Sequence, residues 1–281
     1  MEYAHRLFTL LVACLVIFNA WRSWRLRRGD RTVARLALAS VLLLFLQAGF
    51  GAWIVVGKLP AVFTVVDIVN SMILLAVLAA LTAVGVQETR DERLLARSTG
   101  ACGAIAEVTG DLRARARALR LPSVFVAAVV FVQIAVGAYF RHSGDGEALF
   151  GHDAYLRSHF EYFMPSYPAA VAWLMFHMMI GVAATGAIVW LLAQSVRVKR
   201  HVSVVVALAA AALCQFIFGF ASLADRLALW TDTAHFAGGA LMAGCAGYLL
   251  ARVLIEAVPE RALRRKRAVA PHAGWRLRSS P

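Results

Sequence analysis

Residues Pro168 to Gln194 read PAAVAWLMFHMMIGVAATGAIVWLLAQ, a run with no lysine, arginine, aspartate or glutamate and with one histidine, His177. Hydrocarbon about 30 Å thick needs about 20 apolar residues rising about 1.5 Å each, so this stretch predicts a transmembrane helix. Six other stretches meet the same criterion. Together they place spans at about Tyr3 to Trp21, Val33 to Val56, Ala61 to Val86, Pro122 to Phe140, Pro168 to Gln194, His201 to Leu223 and Leu229 to Ile255. Of the 281 residues, 61% are hydrophobic and 16% charged. A soluble domain is about half apolar and a quarter charged, which excludes an ordinary cytosolic enzyme, a disordered chain and a nucleic-acid module. The expected fold is an all-α polytopic membrane bundle of seven helices.

The formal net charge of +13 is spread unevenly. Sorted by loop, 24 of the 29 Lys and Arg residues fall on one side, in the connections after the first, third and fifth spans and in the tail from Arg252. The other side holds Arg6, Lys58, Arg141, Arg157 and Arg226. The positive-inside rule then puts the N-terminus outside and the C-terminus in the cytoplasm of a bacterial plasma membrane. The first span lacks a basic leader and a small-residue cleavage site and is expected to stay in the mature protein. The basic tail, 256–281, reads as a topology signal and solvated segment, with anionic lipid as the alternative partner. The connection 87–121 mixes arginines, acids and apolar residues and reads as a cytoplasmic linker with room for a short interfacial helix. Cys14, Cys102, Cys214 and Cys245 all fall within spans or the cytoplasmic linker, so no outer disulfide is expected.

Three spans share a signature: FLQAGFGAW, FVQIAVGAY and LCQFIFGFA place Gln47/Gly51, Gln133/Gly137 and Gln215/Gly219 four residues apart, on one helix face. The match extends to ionisable residues. Gln215 to His235 is a spacing of 20, as is Gln47 to Asp67; His177 precedes Gln215 by 38 and His5 precedes Gln47 by 42. Spans one to three therefore correspond to spans five to seven, and the fourth span has no counterpart ahead of the first. The expectation is a pseudo-repeat of a four-helix unit, the first unit lacking one helix. It divides the chain into a three-helix half (1–86), the linker (87–121), a four-helix half (122–255) and the tail.

Ionisable groups inside a membrane are costly and are functional candidates by default. His177 and His235 enter from the same side and lie within a turn of each other in depth. Two imidazoles at one depth can ligate one metal from opposite sides. Heme suits such a pair, and Gly238 and Gly239 leave space for a large ring. The competing reading is that each histidine bonds a neighbouring carbonyl; Met175, Met178 and Met179 offer a thioether or simple packing. In the first half Asp67 is no substitute for imidazole, and carries a proton or pairs with Arg6. Glu2 and His5 share a helix face. The outer loop from Arg141 to Tyr167, with His142, His152 and His159, reads as a solvated loop, with a lid over the site as the alternative.

The strings EYAHR at Glu2 to Arg6, FLQAGFGAW at Phe45 to Trp53 and GAYFRH at Gly137 to His142, with His177 and His235 in order, resemble the heme A synthase family of membrane oxidoreductases. The resemblance covers about residues 1–255. It implies heme b held by His177 and His235, and a first-half site for the substrate heme O, whose C8 methyl is oxidised to the formyl of heme A. It implies Glu2 and His5 as catalytic residues, His5 as a ligand to the substrate iron, and a heme O synthase or cytochrome oxidase assembly partner. Asp67 stands where the family has a second first-half histidine, and Met178 rather than arginine follows His177. The alternative function is a non-catalytic heme b protein for electron transfer or heme handling. A repeat-built transporter ranks last, lacking the broken paired helices of a midplane site.

Overall fold

The computed structural model describes the backbone of residues 2–26, 31–57, 61–97, 102–150 and 165–257, with side chains described for 7, 9–25, 32–57, 61–86, 110–150 and 165–257. The described chain forms eight α-helices: α1 (Glu2–Leu26), α2 (Arg31–Val56), α3 (Ala61–Arg97), α4 (Cys102–His142), α5 (Asp145–Phe150), α6 (Tyr167–Val198), α7 (Val202–Ala224) and α8 (Leu229–Ala257). Six of these, α2, α3, α4, α6, α7 and α8, are long and apolar enough to cross a membrane. The protein is an all-helical integral membrane protein.

Two boundaries differ from hydropathy. The stretch read as a linker is mostly helix, because α3 continues to Arg97 and α4 begins at Cys102. Its alanines, leucines, arginines and glutamates are good helix formers whatever their polarity, and hydropathy is blind to that. Pro122, the expected start of the fourth span, lies inside α4, where its ring nitrogen leaves the Ala118 carbonyl without the usual bond. The connection after α4 is also, in its described first part, less solvated than expected. Its first part forms α5, whose Asp145, Gly146 and Glu147 are buried, and α5 packs on α4 and α6. Burial pushes the Asp145 carboxyl pKa up, against the lowering effect of its bond from Ser143.

Helices α4, α6, α7 and α8 close a ring, each packed on its two neighbours, while α1, α2 and α3 run as an open series joined to the ring through α3. The main core fills the ring toward the end where α6 turns into α7. Leu119 and Val126 of α4, Ile188 and Leu191 of α6, Val205 and Leu208 of α7, and Leu249 and Val253 of α8 meet there. The two parts touch most closely at Gly247. A Cβ there would lie 2.6 Å from Ala76 Cβ and 2.8 Å from the Ala76 carbonyl oxygen, so the α3 and α8 backbones are in contact.

The α6–α7 turn is tight. Lys199 adopts the left-handed conformation (φ 53°), and the Lys199 and Arg200 amides donate to the Val196 and Ser195 carbonyls at 3.1 and 3.0 Å, a Schellman closure. Glu256 near the end of α8 clasps that turn. Its carboxylate accepts from Arg200 Nε and Nη2 (3.0 and 2.8 Å), His201 Nε2 (3.0 Å) and Arg252 Nη2 (2.9 Å), and its side chain is 6% exposed. Removing one partner of a buried charge cluster typically costs 3–5 kcal/mol, because the remaining charges stay desolvated. Glu256→Gln is therefore expected to lower stability by about 3 kcal/mol in detergent. An unchanged thermal midpoint would show that the clasp contributes nothing.

Candidate functional site

Between the ring helices, toward the end opposite Glu256, lies a cavity of about 560 Å³, within the range of small-molecule and cofactor sites. The packed core closes it on one side. Its wall is largely apolar and includes Ile68 and Met72 of α3, so the open series contributes to it as well.

The two histidines face each other in this cavity. The His177 and His235 ring centroids are 6.3 Å apart with the planes at 73°. A metal–imidazole nitrogen bond is about 2 Å, so two rings on opposite sides of one metal stand with centroids about 6 Å apart. Each ring is seated by a glycine on the preceding ring helix. A Cβ on Gly137 would stand 2.6 Å from His177 Cε1, and one on Gly219 would stand 3.1 Å from His235 Cε1. The seating is reciprocal. Four residues beyond each histidine is a glycine that receives the glutamine of the facing helix: Gly181 would meet Gln133 Nε2 at 3.1 Å and Gly239 would meet Gln215 Nε2 at 2.9 Å. The Gln-Gly spacing on α4 and α7 thus interlocks with a His-Gly spacing on α6 and α8. Gly181 escaped sequence reading, although its offset from His177 equals that of Gly239 from His235. Gly238 also faces the Gln215 side chain, its Cβ position 3.2 Å from Gln215 Cδ and Oε1, while Gly239 lines the cavity.

Second partners orient the rings. His235 Nδ1 lies 3.1 Å from the Gln215 carbonyl oxygen; donating to it leaves Nε2 with a free lone pair. The Gln133 amide nitrogen lies 3.2 Å from His177 Nδ1 and 3.4 Å from Nε2. The carbonyl bond expected under the competing reading is therefore present at His235, yet metal-bound histidines routinely make that bond through the other nitrogen. The amide oxygens of Gln133 and Gln215 are buried with no hydrogen-bond partner among the described residues. Met178 lines the cavity, whereas Met175 and Met179 are exposed on the outside of α6 and are removed as ligands.

At the mouth, Arg141 and His142 end α4 and Asp232 opens α8; all three line the cavity, and Arg141 Nε donates to Asp232 Oδ2 at 2.7 Å. His152 and His159 lie outside the described residues.

Of the first-half residues, Ile68 and Met72 line this cavity, whereas Gln47 and Asp67 do not. The side chains of Glu2, His5 and Arg6 lie outside the described residues. Asp67 sits on α3 against α2, where Gln47 Nε2 donates to its Oδ1 at 2.7 Å. Asn70 Nδ2 donates to Gln47 Oε1 at 2.7 Å and to the Leu43 carbonyl at 3.0 Å. Gln47 is thus fully engaged, unlike Gln133 and Gln215, and nothing lies within 4 Å of a Cβ on Gly51.

Among the described residues no group of three or more His, Cys, Asp or Glu side chains could hold a bare metal ion. Two opposed imidazoles suit a metal whose other four positions are supplied by a planar macrocycle. The arrangement defines an integral membrane protein with a two-histidine cavity inside a four-helix ring. The COX15-CtaA family, described as cytochrome oxidase assembly protein, matches residues 1–246, and the chain belongs to it; this is the heme A synthase family that its motifs resemble. No curated protein matches the sequence.

Proposed function

We propose that the protein binds heme b between His177 and His235 and acts as a heme A synthase-type oxidoreductase, oxidising the C8 methyl of heme O to the formyl of heme A. The observation that carries this reading is the facing pair of imidazoles at 6.3 Å in a cavity of cofactor size. Held by His177 and His235, the heme would supply one-electron chemistry toward a membrane or protein acceptor. The residues supply position. His235 is held by the Gln215 carbonyl and His177 is seated against Gly137, so both rings are set before the cofactor arrives. The core beyond Ile188 and Leu208 keeps water from reaching the pair from the basic end.

The substrate half is α1 to α3, with Glu2 beside the reacting methyl and His5 on the substrate iron. The equal spacing of Gln47–Asp67 and Gln215–His235, each spanning a contact between two adjacent helices, supports a pseudo-repeat in which α1–α3 correspond to α6–α8. We take α1 as a seventh span and the Glu256 end as cytoplasmic, following the basic loops, in a bacterial plasma membrane. Heme O synthase or another cytochrome oxidase assembly factor is the proposed partner.

One observation favours a second reading. The Gln47–Asp67–Asn70 network occupies the position where a first-half ligand would stand, as in a heme b protein without the oxidation chemistry. Membranes expressing the protein with a heme O source distinguish the two. Under the first reading extracted pigment contains heme A; a b-type spectrum with heme A absent would overturn it in favour of electron transfer or heme handling.

A further inference from the structure

The cavity's charged side chains are confined to one end. Arg141 closes α4 and Asp232 lies in the first turn of α8, three residues before His235. Their ion pair spans the mouth of the ring, each side chain 27% exposed. A guanidinium carries five N–H donors in a planar fork, and Asp232 takes only the one on Nε. Among the described residues neither terminal nitrogen of Arg141 has a hydrogen-bond partner, although the residue lines the cavity. Asp232 therefore fixes the guanidinium from its side and leaves the two-nitrogen edge, the one that matches a carboxylate in bidentate fashion, open. The half-buried His142 beside it lines the same end. Farther in, no aspartate, glutamate, lysine or arginine lines the wall.

We propose that this end is a carboxylate-binding subsite in which Arg141 grips an acidic edge of the ligand and Asp232 acts as the positioning residue that orients the fork. The inference rests on the two-histidine reading and adds to it a direction: an amphiphilic tetrapyrrole enters with its apolar edge toward Ile188 and Leu208 and its carboxylates toward the mouth. Asp232 also has a selective effect. Its own negative charge disfavours a second carboxylate close to it, so one acid group is held at the fork and another is left to solvent.

The test compares hemin with hemin dimethyl ester, which differs only in the blocked carboxylates. Each is titrated into the purified full-length protein in detergent and followed by the low-spin absorption of bis-imidazole iron. Hemin is expected to bind about tenfold more tightly than the ester, the size of one charge-assisted contact. In Arg141→Gln that preference disappears through weaker hemin binding, with ester binding unchanged, and Arg141→Lys restores part of it. Equal affinity of the parent protein for both ligands would overturn the proposal without reference to any variant. So would an Arg141→Gln protein that loses affinity for both to the same extent, since that marks a structural role. If neither ligand gives a low-spin spectrum with the parent protein, the two-histidine reading fails first and takes the subsite with it.

Discussion

Alanine at either His177 or His235 is expected to abolish the low-spin heme spectrum of the purified protein while leaving it folded. The two rings meet across one cavity, and each is on a different helix, so neither can be replaced by a neighbour. Met178, the other sulfur or nitrogen donor candidate on α6, lies one residue from His177 and so about 100° around the helix. Loss of an outer-sphere partner commonly lowers metal-site affinity 10–100-fold, so loss of a direct ligand should lower it by more than about 100-fold. Neither histidine belongs to the buried core that holds the ring together, and thermal stability of the heme-free protein should change little. A variant that keeps the parent spectrum would show that its histidine is not a ligand.

A second large effect is expected from Gly137→Val, which alters no ligand. The new Cβ would overlap His177 Cε1 at 2.6 Å, a distance real Cβ atoms do not show, and the two methyls add to the intrusion. Either the imidazole leaves its seat or α4 and α6 separate, and overpacking of this kind costs about 1–3 kcal/mol. Displacing the ring by even part of its width breaks the opposition with His235, so heme content should fall by about tenfold or more, a tenfold loss corresponding to about 1.4 kcal/mol. Gly51→Val is the matched control. It stands at the same place in the Gln-Gly signature, yet nothing lies within 4 Å of its Cβ, and heme content there should be unchanged. Equal heme content in the two variants would mean that the glycine seat does not position His177.

The contrast between Gly137 and Gly51 also marks how far the sequence can be read. Both glycines follow a glutamine by four residues inside an apolar span, and nothing local separates them. What separates them is the residue that arrives from another helix, an imidazole in one case and open space in the other. Asp67 makes the same point. Its spacing from Gln47 equals that of His235 from Gln215, but whether it pairs with Arg6, carries a proton or bonds Gln47 depends on which helix face meets which. Gly181 is legible in principle, through its offset from His177, but small residues four apart are common in membrane helices and carry little signal. The mouth pair Arg141–Asp232 joins residues 91 apart, a contact without any local signal.

The sequence by itself determined that helices cross a membrane, where most of the long ones lie, and which two histidines stand at one depth. These are one-dimensional properties: the bilayer sets the length of apolar run, and the 1.5 Å rise converts position into depth. Tertiary structure alone decided which helix faces meet. Lipid is as apolar as the protein core, so membrane helices are hydrophobic on every side and carry no stripe that marks the inward face. The closed ring of α4, α6, α7 and α8, the interlocked Gln-Gly and His-Gly pairs, the Glu256 clasp and the Arg141–Asp232 mouth all follow from close packing and buried polar pairing between helices distant in sequence.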